Sequence, residues 1–371
     1  MTSNSSDATA ILFEGTGSPL NRVQAALPEL KPGEVLVAIS ATTLCGSDLH
    51  TFHGRREAST PVILGHEIIG RILALSEKET PTAYDGSPLQ IGDRVTWSLC
   101  VHCGDCFYCQ HDLPQKCEQL LKYGHQCFTT YPWSGGLASH LILRRNSTLF
   151  RIPENLPDDV ACPANCATAT VAAALRKAGS LEGANVVILG AGMLGLTASA
   201  MAKEGGARRI ILVDRDQARL DRAKTFGATD LVHSGQIEES LVTTILPLTE
   251  GRGADVVLEL TGVTPLVREG LELLRIGGQL ILVGSVFPAD SVELSPEQVV
   301  RRMLEIKGVH NYAPIDLETA LNFLKTHAER YPFSELVEAR FPLDSCEEAF
   351  SVASMGKSFR VMIEVTADER P

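Results

Sequence analysis

Four thiols stand at Cys103-x2-Cys106-x2-Cys109-x7-Cys117, close enough to share one loop. Four thiolates around one zinc ion form a closed tetrahedral site with no position left for water or substrate. The chemistry of such a site is structural: it staples a lobe that lacks a large core of its own. Unpaired structural cysteines are the alternative, and surface loops rarely gather free thiols. Cys100 adds a second register, Cys100-x2-Cys103. The first seven residues, MTSNSSD, lack the basic start and apolar stretch of a secretory leader, so the thiols are expected to stay reduced. Five of the ten cysteines fall between Cys100 and Cys117, and reduced clustering of this kind points to metal ligation over disulfides.

A second constellation is Gly190-Ala191-Gly192-Met193-Leu194-Gly195, between an apolar run at 186–189 and a helical stretch at 196–204. Gly190 suits a tight turn, Gly192 lets backbone approach a pyrophosphate, and Gly195 permits close packing of helix on strand. The helix N-terminus then favours phosphate through its N–H groups and dipole, with Met193 and Leu194 of the turn among the expected cofactor contacts. Asp214 follows nineteen residues after Gly195, where a carboxylate accepts hydrogen bonds from the adenosine ribose and repels a 2′-phosphate. NAD is therefore expected over NADP. Two alternatives stay open: Asp214 as a helix N-cap in Asp214-Arg215-Asp216, and Arg215 as a partner for a phosphate.

The elements that must position these groups follow from periodicity. From residue 10 to about 165 the chain alternates short β-rich runs, at 34–40, 67–75 and 137–143, with glycine and proline breaks, which predicts an irregular β-rich domain. From 185 the pattern changes to apolar strands, at 185–190, 209–214, 230–232, 255–260, 279–284 and 305–310, with helical stretches between them. Six such strands predict a doubly wound parallel sheet, a Rossmann fold of α/β class. A helix at 317–327 and a closing strand at 359–365 are expected to return to the first domain. The expected division is 1–167 completed by 311–371, with 168–310 as the dinucleotide-binding domain. At 371 residues and 44% hydrophobic content the chain is long enough for two cores. No apolar run approaches the roughly 20 residues of a membrane span. A formal charge of −12 argues against a nucleic-acid partner, and a cytoplasmic address is expected.

Cys45, His66 and Cys166 are dispersed, and each taken singly is ordinary: an isolated cysteine is usually a small buried hydrophobe and an isolated histidine a satisfied structural group. Spacing alone does not unite them. The ordered set, however, resembles the zinc-containing alcohol dehydrogenases of the medium-chain dehydrogenase/reductase superfamily over essentially the whole chain. The matching segments are Gly65-His66-Glu67, the loop Cys103 to Cys117, the turn Gly190 to Gly195, and Cys166-Ala167-Thr168-Ala169-Thr170. The resemblance implies a GroES-like catalytic domain and two zinc ions per chain, one structural and one catalytic. Cys45, His66 and Cys166 would hold the catalytic zinc, with Glu67 the nearby acid able to approach it. By the same resemblance Asp48 orients His66, Ser47 and His50 form a proton relay, Thr170 lies beside the nicotinamide, and Arg360 meets the pyrophosphate. The implied reaction is hydride transfer between an alcohol, ionised with the help of zinc, and NAD, in a cleft between the domains. A homodimer or homotetramer is the implied assembly.

Arg55, Arg56, Lys122 and His125 could form a cationic pocket, since Arg and Lys suit carboxylate or phosphoryl oxygens. An ordinary solvated loop is the alternative. These segments are also similar to a bacterial clade of the family associated with phosphonate catabolism, which implies a small alcohol or aldehyde bearing a phosphonate or similar anion. Polyol, sugar or amino-alcohol oxidation is the nearest rival. A non-catalytic NAD-binding protein with structural zinc only is the rival from another class.

Overall fold

The computed structural model describes residues 7–237 and 240–365; residues 1–6, over which no leader was expected, lie outside them. The chain forms two compact units, one of residues 1–166, 313–328 and 333–371, the other of 167–312 and 329–332.

In the first unit the long strand Val35–Leu44 is the organising element. It is rich in β-branched and apolar residues, and eight of its ten positions are buried, so it sits at the centre of a seven-stranded sheet. Glu67–Leu75 pairs antiparallel on one side with Thr43 opposite Glu67. The closing strand Arg360–Glu364 pairs antiparallel on the other, with Leu44 opposite Val361. Because side chains alternate and register is locked by burial, these two ladders fix which residues emerge together at the sheet's end. Those residues are Cys45, His66 and Arg360, each one step beyond its paired position. The run expected at 137–143 is shorter as a strand, His140–Leu143, because its first part bonds irregularly: Leu137 N–H donates to the Leu64 carbonyl at 2.9 Å.

The second unit is a six-stranded parallel sheet. Its order is Asp230–His233, Arg209–Asp214, Asn185–Leu189, Ala254–Glu259, Leu274–Leu282, Glu305–Gly308. Asn185–Leu189 is buried throughout, as a central strand covered on both faces must be. Chain order reverses at this strand, the topological switch point at which doubly wound sheets bind ligands. The expected strands are present with end shifts of a few residues. The largest shift is at Leu274–Leu282, which starts five residues early through an irregular register beside Ala254 and Val256. Residues 329–332 join this unit through Tyr331, whose hydroxyl donates to Glu204 Oε1 at 2.5 Å and whose ring stacks on Phe226.

No helix among the described residues is long and apolar enough to cross a membrane.

Candidate functional site

The loop cysteines come together as a cage. Sγ to Sγ distances are 3.5 Å for Cys106 to Cys109 and Cys103 to Cys117, and 3.9 Å for Cys103 to Cys109 and Cys106 to Cys117. Bonds of about 2.3 Å in a zinc tetrahedron separate sulfurs by roughly 3.8 Å, so the cage fits zinc without rearrangement. Backbone N–H groups of Cys103 and Gln119 donate to Cys117 Sγ, and that of Cys106 to Cys103 Sγ, each at 3.3 Å. Such bonds stabilise thiolates; backbone N–H groups hold the Cys106 thiol down at about 6. Cys100 is not part of the cage: it is buried in the short strand Cys100–Val101, and burial pushes its thiol up to about 11.

The dispersed set also converges, with the ligating atoms of Cys45, His66 and Cys166 all within 4.8 Å of one another. Cys45 caps the helix Gly46–Phe52. Asp48, at the third helical position, turns back to accept the Cys45 N–H at 2.9 Å, as in a capping box. Its other oxygen accepts from Gly65 N–H at 3.2 Å and from His66 Nδ1 at 3.0 Å. Nδ1 thereby carries the proton and Nε2 is left as the lone-pair donor a metal needs. Burial opposes charge on His66, but Asp48 outweighs it and raises the imidazole to about 10, so a metal bound at Nε2 would displace a proton there. Ser47 Oγ lies 3.3 Å from His66 Nε2. A hydrogen bond from the Cys166 thiol, aided by Arg360 and His66, holds the Cys45 thiol well below its ordinary range. Two sulfurs, one of them already inclined to ionise, with one oriented imidazole, are a soft donor set that suits zinc and leaves a fourth position open.

Glu67 is fully buried and Arg360 is 6% exposed. The guanidinium meets the carboxylate in a fork, Nε to Oε2 at 2.8 Å and Nη2 to Oε1 at 2.9 Å, and Nη2 also lies 3.7 Å from Cys45 Sγ. Burial drives the Glu67 carboxyl up to about 7, and Arg360 with the Thr43 hydroxyl, 2.5 Å away, opposes it. Sequence reasoning named both residues but not this pairing; nothing in the sequence links positions 293 apart. It also missed Asn165, fully buried, whose Nδ2 donates to the carbonyls of His66 at 3.2 Å and Trp97 at 3.3 Å and whose Oδ1 accepts from Ile68 N–H at 3.3 Å. This clamp holds the segment before Cys166 against the His66 strand. A buried amide beside a ligand was the available signal. Cys162 donates to the Glu67 carbonyl at 3.1 Å and serves the same packing.

His50 sits in the same short helix as Ser47, and burial, with Arg55 nearby, lowers its pKa, so it is neutral near pH 7. Of the cationic candidates, Arg55 is exposed, whereas Arg56, Lys122 and His125 are partly buried. The His125 ring centroid is 5.4 Å from that of His66, and its Nδ1 bonds the Tyr123 carbonyl at 2.8 Å.

In the other unit Gly190 adopts φ +106° and leads into the helix Met193–Glu204, capped by Gly192. A Cβ on Gly195 would lie 1.9 Å from the Gly190 carbonyl oxygen, so only glycine fits, and a Cβ on Gly192 would meet nothing within 4 Å. Asp214 ends its strand and accepts from Ala191 N–H at 2.7 Å and Asp216 N–H at 2.9 Å. The N-cap role falls instead to Asp216, which accepts from Ala218 and Arg219 N–H groups, while Arg215 is exposed. Thr170 lies in the helix Ala167–Ala178 of this unit.

Comparison with known proteins identifies the family. The family described as "Alcohol dehydrogenase GroES-like domain" matches residues 31–154, and that described as "Zinc-binding dehydrogenase" matches residues 194–326. The chain is 30% identical to D-arabitol-phosphate dehydrogenase of Enterococcus avium over 350 residues, 94% of each chain. It is 30% identical to sorbitol dehydrogenase of Halalkalibacterium halodurans, over 91% of this chain and 93% of the other. An alcohol dehydrogenase structure from Thermotoga maritima superposes with TM-score 0.91 at 29% identity, covering 97% of this chain and all of that one. A zinc-binding dehydrogenase of Sinorhizobium meliloti, solved with NADP, gives TM-score 0.84 at 25% identity over 97% and 99% of the two chains. The reading as a non-catalytic dinucleotide-binding protein is set aside by these matches. The chain belongs to the zinc-containing alcohol dehydrogenases of the medium-chain dehydrogenase/reductase superfamily, enzymes that use zinc and a nicotinamide dinucleotide to act on alcohols.

Proposed function

We propose that this enzyme is an NAD-linked dehydrogenase of a small polyol-type alcohol, working through Cys45, His66 and Cys166. The convergence of those three ligating atoms within 4.8 Å, with Asp48 on His66 Nδ1, is the observation that carries the reading. Zinc in that set supplies a Lewis acid that lowers a hydroxyl pKa or polarises a carbonyl. The protein's own groups do the rest. Asp48 fixes the His66 tautomer, and the Glu67–Arg360 pair places a positive edge beside Cys45 Sγ. Ser47 would accept the substrate's proton while releasing its own into a relay that ends at His50, held neutral and able to pass a proton toward solvent. Asp214 ends its strand beside the glycine turn, as NAD selection requires, and the Met193–Glu204 helix offers its N-terminus to the pyrophosphate. Arg360, engaged with Glu67, retains its Nη1 edge for a phosphate oxygen only if its bond to the Phe359 carbonyl is exchanged.

The polyol names of two relatives favour a hydroxylated substrate over a simple monohydric alcohol. A cytoplasmic homodimer or homotetramer is part of the proposal. The test is NADH formation across neutral alcohols, polyols and their anionic counterparts by zinc-replete protein. Cys45→Ser is expected to lose turnover and to lower bound zinc from about two ions per chain to about one. Unchanged turnover in the variant would show that the catalytic metal lies elsewhere.

A further inference from the structure

The strand end beside Asp214 carries an imidazole that no described residue engages. Asp230–His233 is the outermost strand of the parallel sheet, and its ladder with Arg209–Asp214 ends on the pair Asp214 and His233. Paired positions in a parallel ladder lie about 4.8 Å apart and send their side chains to one face. Three consecutive strand ends are thereby joined at the carboxyl edge. Gly190 N–H donates to the Val213 carbonyl at 2.8 Å, Ala191 N–H donates to Asp214 Oδ2 at 2.7 Å, and His233 stands beside Asp214 on the far side. Ligands of doubly wound sheets sit outside this edge.

His233 is half-buried and held in place. It caps the short turn Ser234–Gln236, which folds back on the ring: a Cβ on Gly235 would lie 3.1 Å from His233 Cε1 and 3.4 Å from Nδ1, with Nε2 beyond 4 Å. Nδ1 is buried there and meets no hydrogen-bond partner. A proton on it would be a buried donor without an acceptor, whereas a bare lone pair at that place is better tolerated. The proton of the neutral ring therefore sits on Nε2, and in the charged ring Nε2 carries one as well. In both forms the nitrogen away from the turn is a donor, and no described residue accepts from it. Asp214 is the complement. Oδ2 is used by Ala191 N–H and Oδ1 by Asp216 N–H at 2.9 Å, and each oxygen keeps a lone-pair site for a further donor. Neighbouring strand ends thus offer one acceptor and one donor. A hydroxyl takes both, giving its hydrogen to the first and receiving one from the second.

We propose that His233 is a specificity-determining residue of the cofactor site, its Nε2–H donating to the oxygen at the 2′ position of the adenosine ribose while Asp214 accepts from the same hydroxyl. This rests on the NAD reading above and adds a residue to it. A carboxylate alone holds that hydroxyl through its hydrogen only. The imidazole satisfies the oxygen as well and makes its recognition two-sided.

The test is direct binding to the zinc-loaded enzyme, read by calorimetric titration and by the fluorescence of the bound dihydronicotinamide, with NADH, its 2′-deoxyadenosine analogue and NADPH as probes. The parent is expected to bind NADH roughly tenfold or more tighter than the 2′-deoxy analogue. His233→Ala lowers that ratio by about three- to tenfold and leaves affinity for the 2′-deoxy analogue nearly unchanged, since only a contact to the missing oxygen is lost. His233→Gln, whose amide N–H reaches the Nε2 position, retains most of the ratio. His233→Asn reaches only the Nδ1 position and behaves as His233→Ala, and Ser234→Ala keeps the parent ratio. Equal weakening of both probes in His233→Ala gives the residue a purely structural part and overturns the proposal. A ratio unmoved in that variant, or a parent that binds the two probes alike, overturns it too. If His233→Ala does not fold, His233→Gln and His233→Asn decide alone, and equal ratios in the two overturn it. A parent that binds NADPH tighter than NADH removes the NAD reading by itself. The NADPH preference then decides His233: a preference reduced about three- to tenfold in His233→Ala supports the contact, and one unmoved overturns it.

Discussion

At the scale of single residues, the orientation of a ligand matters beside its identity. The hydrogen bond of Asp48 to Nδ1 decides which nitrogen of His66 faces the centre. Asp48→Asn keeps the size but can present an N–H to Nδ1, inverting the tautomer. Metal retention or turnover is expected to fall about 10- to 100-fold, read by zinc analysis beside kcat/KM. His50 lends itself to a pH measurement. Burial depresses its pKa, so the neutral, proton-accepting form prevails above that lowered value and is lost as pH falls through it. The rate of alcohol oxidation should therefore drop on an acidic limb below the ordinary imidazole range, and His50→Gln should show a lower, flatter profile. An acidic limb that persists unchanged in the variant would remove His50 from the relay.

At the scale of elements, strand register carries the site. The closing strand Arg360–Glu364 brings its first residue beside Cys45 only because Leu44 pairs with Val361. Replacing Arg360 leaves the fully buried Glu67 without its cation, and removing one partner of such a pair costs about 3–5 kcal/mol. Arg360→Met is thus expected to lower the urea midpoint strongly, with Glu67→Gln in the same chain recovering a large part of the loss. A single variant as stable as the parent would show that the pair contributes nothing to the fold. The short loop elements behave differently: the Cys103 to Cys117 cage is a local object, formed by backbone turns and N–H to sulfur bonds between residues 103 and 119.

At the scale of the whole molecule, two units divide the chemistry, one holding the metal-ligand sets and the other the glycine turn. Cofactor choice belongs to the second. Asp214 receives the Ala191 N–H of the turn, and we propose that it also meets the adenosine ribose. Asp214→Ser should shift preference from NAD toward NADP by roughly tenfold or more in the ratio of kcat/KM values. A parent enzyme that already prefers NADP would reverse the assignment of Asp214.

The sequence by itself determined what short stretches of backbone can encode. The four thiols of the loop, the glycines of the turn and the six apolar runs of the parallel sheet were legible because each draws its geometry from neighbours in the chain. Glycine at 195 is required by the carbonyl of Gly190, five residues away. Strand ends were legible only within a few residues, since propensity does not see a register such as that beside Ala254 and Val256. Tertiary structure alone decided the union of Cys45, His66 and Cys166, the Glu67–Arg360 pair and the Asn165 clamp. These contacts depend on ladders between distant strands and on burial that selects one register among many. A linear pattern contains the residues but not that choice.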